Sequence, residues 1–314
     1  MRRRHFLTAS AGLGAAALGL PALAGSAARS EPLVPAFEDR QRPLRYALKL
    51  GMVQLDGTLE EQFGALRAMG FDGVEPDSPS NLNREELLAA SRATGLAIPG
   101  VVDSVHWRDT FADPDAAVRE RARAALEVAL RDAAALGAST VLVVPAVVSP
   151  RIPYDDAFRR SREEIGQLVP LAEELGVTIA FENVWNKFLL SPLEARNYVD
   201  SFESKNVGWY LDLGNLIASG WPESWLRILG KRVVKLDVKD FSRGLANDQG
   251  LWHGFDTKIG DGDCDWPAIG AAIDEVGYSG WASAEVAGGG AVRLGEVLVR
   301  MHDALQAPAP AKVE

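Results

Sequence analysis

Eight short apolar runs, each followed by a segment with helical patterning, constrain this 314-residue chain more than any other feature. The runs are Tyr46–Gln54, Gly73–Pro76, Ile98–Asp103, Thr140–Pro145, Thr178–Asn183, Gly208–Asp212, Val233–Val238 and Trp281–Glu285. Several are unbroken β-branched stretches, the pattern of strands buried on both faces. Between them, helix signals recur. Thr58 predicts a cap for Leu59–Met69 with Gly70 as its stop, and Asn83 one for Arg84–Thr94 before Gly95. Asp113 predicts a cap for Pro114–Leu136, with Pro at the first helical position and Gly137 after the end. Tyr154–Leu175, Pro192–Ser201, Pro222–Leu229, Pro267–Val276 and Arg293–Leu305 complete the set. Eight strand-then-helix units in a row predict an α/β fold in one domain, a (β/α)8 TIM barrel, which needs roughly 250 residues. A doubly wound open sheet would carry a Gly-rich dinucleotide turn after the first strand. Gln54–Thr58 reads Gln-Leu-Asp-Gly-Thr and has no such pattern.

The barrel pattern occupies residues 45–305, and the ends read differently. Arg2, Arg3 and Arg4 precede Phe6 and Leu7, then a soft Ala/Gly/Leu run reaches Leu23, with Ala22-Leu23-Ala24 as a small-residue cleavage site. Arg3-Arg4-His5-Phe6-Leu7 predicts a twin-arginine signal over 1–24, hence export to the periplasm or beyond. The apolar run is short and interrupted by Gly and Pro, so no stable membrane anchor is expected. Residues 25–44 are polar and Pro-bearing and predict a flexible linker; 306–314 predict a disordered tail.

Charge narrows the partners. The chain carries a formal −10, and removal of Arg2, Arg3 and Arg4 with the leader takes it to −13. Such a surface repels phosphate backbones, so nucleic acid is excluded as a partner. Cys264 is the single cysteine, which excludes an intramolecular disulfide or a thiolate cluster.

Barrel active sites lie at the C-terminal ends of the strands. The last four runs each deliver an acid there: Glu182, Asp212, Asp237 and Glu285. Alternation puts Lys235 and Asp237 on one face and Leu236 and Val238 on the other, which aims Asp237 inward. Four converging carboxylates repel one another unless a cation sits between them. An all-oxygen ligand set predicts one hard divalent cation, Mn2+ or Mg2+, over zinc.

These residues carry a resemblance. Phe181–Pro192 (FENVWNKFLLSP), Trp209–Asn215 (WYLDLGN), Asp237–Asp240, Gly260–Trp266 (GDGDCDW) and Ser104–Arg108 (SVHWR) resemble the xylose isomerase-like TIM barrel family of sugar phosphate isomerases and epimerases, over about residues 46–303. The resemblance implies a Glu, Asp, His, Glu metal set, matched here by Glu182, Asp212 and Glu285. Asp237 stands where the family has His. It is a competent ligand for Mn2+ or Mg2+ but makes the site more anionic. Asn215 replaces a histidine common three residues after the strand-six Asp, and could bond a sugar hydroxyl. The family also implies self-association into dimers or tetramers, for which the sequence shows no interface.

The implied chemistry is isomerisation or epimerisation of a sugar through an enediolate, with Glu182 and Glu285 as ligands and proton carriers on opposite faces. His106, Trp107, Trp185, Lys187, Lys239, Glu75 and His253 are candidate substrate contacts: hydrogen-bond partners, aromatic walls for sugar C–H faces, and a lid over Arg243–Asp263. Gly260–Trp266 predicts a structural turn returning that loop to the barrel. Export and the absence of a Gly-rich phosphate cradle favour a free sugar, keto-sugar or 3-keto-glycoside. Two alternatives stand beside this. One is a lyase or hydrolase that expels a leaving group from a 3-keto-glycoside by β-elimination. The other is a non-catalytic sugar-binding barrel. A phosphodiesterase related to the endonucleases of this fold would need several histidines and a basic groove, which this sequence lacks.

Overall fold

The computed structural model describes residues 41–308. The leader, the linker up to residue 40 and the tail from 309 lie outside the described residues. Among the described residues, nine parallel strands form a nearly closed barrel: β1 Arg45–Lys49, β2 Gly73–Glu75, β3 Asp77–Ser78, β4 Gly100–Asp103, β5 Thr140–Val143, β6 Thr178–Glu182, β7 Val207–Asp212, β8 Val233–Val238 and β9 Trp281–Ala284. Their order is β2-β1-β9-β8-β7-β6-β5-β4-β3. The second expected strand, Gly73–Pro76, ends at Glu75, since Pro76 has no N–H to give to a ladder, and a further short strand, β3, follows beyond it. β2 pairs with β1 and β3 with β4, so the two pieces close the ring as one barrel position.

The outer layer comprises α1 Leu59–Met69, α2 Arg84–Thr94, α3 Ala116–Leu136, α4 Tyr154–Gly166, α5 Val169–Leu175, α6 Pro192–Asp200, α7 Leu213–Ile217, α8 Pro222–Leu229, α9 Arg243–Gln249, α10 Trp266–Val276 and α11 Ala291–Leu305. Thr58 and Glu61 form a capping box at α1, and Asn83 caps α2. Several boundaries differ from expectation by a residue or two, and three differences change the local structure. α3 begins two residues late, because Asp113 accepts the Asp115 N–H in a turn and Asp115 is the cap. Tyr154–Leu175 is two helices, since Pro170 cannot donate to the carbonyl four residues back, at Gly166. The first strand ends at Lys49 and becomes a tight 3-10 turn over Leu50–Met52.

The apolar core lies mainly between strands and helices. Leu236 and Val238 point into it with Ile179, Phe181, Trp209 and Leu211. Inside the ring there is only a small apolar group, Leu142, Ala180 and Tyr210. The remaining interior is charged. Opposite β7, strand β8 slips by one residue, so that Lys235 faces Tyr210 and Asp237 faces Asp212. Gly100 makes room for the interior charges, as a Cβ there would strike the Lys235 ammonium and the Glu75 carboxylate.

The packed barrel extends past residues 45 and 305. The buried Arg42 guanidinium donates to the carbonyls of Leu305 (2.8 Å), Ala307 (2.9 Å) and Gly270 (3.2 Å) and pairs with Asp274 (2.9 Å). Gln306 bonds the Arg42 backbone and the Tyr46 hydroxyl. This clasp joins the start of the barrel to the end of α11. Arg42→Ala leaves those carbonyls without donors and is expected to cost about 3 kcal/mol of unfolding free energy in a urea titration. A cost under about 1 kcal/mol would show the clasp to be dispensable.

Candidate active site

Each acid reaches the mouth from a strand end. Glu182 is the last residue of β6, Asp212 the last of β7, Asp237 the second to last of β8, and Glu285 follows β9. One carboxylate oxygen from each lies within 4.8 Å of the others. Glu182, Asp212 and Asp237 are buried, and Glu285 is partly exposed.

Local structure holds them there. Asn183 accepts the Asp212 N–H (3.0 Å) and the Trp209 indole N–H (3.1 Å) and donates to the Asp212 carbonyl (2.7 Å), locking the end of β7 to β6. Asp212 Oδ1 caps α7 by accepting the Asn215 N–H at 2.7 Å, which leaves Oδ2 turned to the site. Asn215 Nδ2 donates to Glu182 Oε1 (3.3 Å) and to the Asn183 carbonyl.

Two buried lysines, Lys49 and Lys235, and the partly exposed Lys239 interleave with the acids. Lys49 lies 2.9 Å from Asp237 Oδ1 and 2.8 Å from Glu75, and donates to the Tyr210 hydroxyl at 3.1 Å. Lys235 pairs with Glu75. Lys239 lies 2.8 Å from Asp212 Oδ2 and pairs with Glu285. Asp237 Oδ2 is buried and accepts no hydrogen bond. Hard divalent cations take oxygens at about 2.1 Å, which sets opposing ligands about 4.2 Å apart. The cluster's spread and the unbonded Asp237 oxygen fit that requirement.

The electrostatics separate the two glutamates. Burial, then Glu285 and Asp212, push Glu182 well above the usual carboxylate range. Burial also pushes Glu285 up, but Lys239 and Lys49 more than offset it and hold it below its ordinary value. Burial, Glu285 and Glu75 raise Asp237 against the pull of Lys49, and burial takes Asp212 to about 6 despite Lys239.

The cluster opens into a cavity of about 660 Å3 at the barrel mouth. A larger groove of about 780 Å3 runs along α11, away from these carboxylates. His106, Trp107, Trp185, Asn215, Lys239, Glu182 and Glu285 all face the mouth cavity. The Val144 N–H donates to His106 Nδ1 at 3.3 Å, so the ring proton is on Nε2, and burial lowers the imidazole pKa to about 4. His106 is therefore a neutral donor. Trp185 donates its indole N–H to the Asn215 carbonyl at 2.9 Å.

Three expected contacts fall elsewhere. Glu75 is buried beneath the cavity, consumed by Lys49, Lys235 and the Tyr210 hydroxyl. Lys187 is solvent-exposed and lines a neighbouring groove. His253 points to solvent, 2.7 Å from Asp256. The long loop after β8 instead reaches the cavity through Trp252 and Phe255. Lys49 was hidden as the last residue of an apolar strand; a charge in such a run is the signal that exposes it. Asp240 is an anchor, accepting the N–H groups of Phe241, Gly260, Gly262 and Cys264 and the Trp266 indole. Gly260–Trp266 is thus the structural turn expected from sequence.

Comparison with known proteins agrees with this architecture. The L-ribulose-5-phosphate 3-epimerase UlaE of Escherichia coli (strain K12) is 26% identical over 234 residues, 70% of this chain and 79% of that protein. The solved structure of 3-keto-D-glucoside 4-epimerase YcjR from E. coli superposes with a TM-score of 0.70 at 18% identity, covering 83% of this chain and 98% of that one. That of an L-ribulose 3-epimerase gives 0.69 at 16% identity, covering 84% and 95%. At such identities the structures attest the fold. The family described as "Xylose isomerase-like TIM barrel" matches residues 63–306, most of the chain. The chain therefore belongs to the xylose isomerase-like TIM barrel family.

Proposed function

We propose that this protein is a sugar epimerase or isomerase that holds one divalent cation, Mn2+ or Mg2+, on Glu182, Asp212, Asp237 and Glu285. The observation that carries this reading is the convergence of four carboxylate oxygens within 4.8 Å, two of them from glutamates that line a sugar-sized cavity. The relatives are named as sugar epimerases, which supports it. A bound cation would supply Lewis-acid polarisation of a carbonyl and its neighbouring hydroxyl, acidifying the adjacent C–H.

The chain's own residues do the rest. Glu285, kept ionised by Lys239 and Lys49, is suited to take the proton. Glu182, pushed well above the usual carboxylate range by burial and by Glu285 and Asp212, is suited to return one from the opposite face. Return to the same carbon inverts it; return to the neighbouring carbon moves the carbonyl. Asn215 steadies Glu182, and His106 offers Nε2–H to a sugar oxygen. Trp107, Trp185, Trp252 and Phe255 wall the cavity with aromatic faces on which sugar C–H groups can stack.

An unphosphorylated substrate fits this cavity better than a sugar phosphate. Among the residues lining it the sole cation is Lys239, already engaged by Asp212 and Glu285. The expected twin-arginine leader points the same way, since an exported enzyme meets free sugars and keto-glycosides. Replacing Arg3 and Arg4 with Lys is expected to retain the protein in the cytoplasm, read by cell fractionation; unchanged export would count against that route.

The chemistry is tested by loading the protein with Mn2+ or Mg2+ and incubating it with free sugars and a 3-keto-glucoside in D2O. Deuterium at the carbon beside the carbonyl is the expected result. Aglycone release in place of an epimer would show β-elimination. Glu182→Gln and Glu285→Gln are each expected to slow exchange by about 10²- to 10⁴-fold at metal saturation. Near-normal exchange with metal bound would refute the proton-carrier roles. His106→Ala should lower kcat/KM about tenfold, chiefly through KM, as the loss of one neutral hydrogen bond requires. An unchanged KM would remove His106 from the site.

A further inference from the structure

We propose that the reaction cavity continues past Trp185 into a second, apolar compartment that takes the aglycone of a glycoside. This rests on the reading that the mouth cavity holds the reacting sugar ring. A groove of about 370 Å3 adjoins that cavity, and Val184, Trp185, Asn215 and Trp252 line both. Trp185 is the shared wall. Its indole N–H is fixed on the Asn215 carbonyl, and its ring packs on Trp252 and Phe255 with centroids 4.8 and 4.9 Å apart. A ligand anchored over the carboxylates therefore has a rigid aromatic edge to cross, with a second space beyond it.

The character of that space is apolar. Phe188, Leu190, Leu216, Trp225 and Leu251 line it, with Lys187 as the sole cation. Leu190 is 68% exposed, Leu251 53% and Trp252 71%. Three large apolar side chains open to water on one rim are an unfavourable arrangement that a bound apolar ring would relieve. The loop behind them is held in an unusual conformation. Lys187 and Leu189 have φ of 61° and 52°, in the left-handed region that non-glycine residues avoid. Asn186 holds the loop by donating to the Ala146 carbonyl, and the Tyr154 hydroxyl accepts the Leu189 N–H at 3.0 Å. A lone monosaccharide would leave this compartment unused. A phosphate there would meet one lysine and a surround of hydrocarbon. A ring-sized apolar aglycone matches both the volume and the walls.

The test is equilibrium binding to the full metal-loaded chain, followed by tryptophan fluorescence and calorimetry. Phenyl and methyl 3-keto-glucosides of the same anomeric form are compared. The phenyl compound is expected to bind at least tenfold tighter. The double variant Leu190→Ser/Leu251→Ser, at exposed positions outside the proton-transfer machinery, should abolish that advantage and leave the methyl compound unchanged. Equal affinities, an advantage that survives the double variant, a preference for the 6-phosphate of the methyl compound, or no binding of either would overturn the proposal. Because the readout is binding, the two readings fail separately. A phenyl preference without deuterium exchange would keep the compartment and remove the epimerase. Exchange on free keto-sugars with no phenyl preference would do the reverse.

Discussion

Five carboxylates and three ammoniums share the interior of this barrel, and the rest of the site depends on how they are spaced. Two like charges 4 Å apart cost about 4 kcal/mol at an effective dielectric near 20. Clustered acids therefore survive in a buried ring only with cations threaded among them. Sheet order does the threading. Moving from β2 through β1, β9, β8 and β7 to β6, the chain presents Glu75, Lys49, Glu285, then Lys235, Asp237 and Lys239, then Asp212 and Glu182. The lower tier of Glu75, Lys49 and Lys235 neutralises itself and carries one spare positive charge toward Asp237. The upper tier is left acidic with Lys239 inside it. Taken together the eight groups retain two formal negative charges, the number that one divalent cation cancels.

Asp237 is where this balance is most particular to the chain. The family pattern implies a neutral histidine there, and an aspartate adds a full negative charge to an already acidic floor. Lys49 lies 2.9 Å from it, buried, at the end of β1, two strands along the same sheet. The slip of β8 against β7 sets Asp237 opposite Asp212, and the absent side chain of Gly100 leaves room for Lys235 and Glu75 beneath. An acid in this position is thus built in by three separate features. It also bears on the proposed cation, because imidazole suits zinc and later transition metals while carboxylates suit magnesium and manganese.

Much of this was legible in residue order. Period-two alternation fixed the inward aim of Asp237, and the strand-end rule picked out Glu182, Asp212 and Glu285, which the fold gathers within one ion's reach. What escaped was set by tertiary contacts. Glu75 has the same strand-end position as the clustered acids, and only its burial against Lys49 and Lys235 removes it from the cavity and makes it a floor charge. Lys187 and His253 sit in loops whose side-chain directions no periodicity encodes; both face solvent, and Trp252 and Phe255 fill the role assigned to His253. Pro170 was visible, yet its effect on the helix was not drawn from it: it removes one N–H and breaks a helix that the apolar pattern alone runs through.

Strand ends and loops divide the labour in a way that follows from their rigidity. The four clustered carboxylates stand at or just past the ends of paired strands, where positions are fixed most closely. The aromatic cavity walls come from loops, which tolerate change. Here the loops are nonetheless tied down. Asp240 gathers five donors from both ends of the segment after β8, so Trp252 and Phe255 are carried on a loop pinned at its root. Trp185 is held by one hydrogen bond to Asn215, which in turn steadies Glu182. The aromatic wall and Glu182 therefore share a support: the Asn215 carbonyl fixes the Trp185 indole, and the Asn215 side chain reaches Glu182.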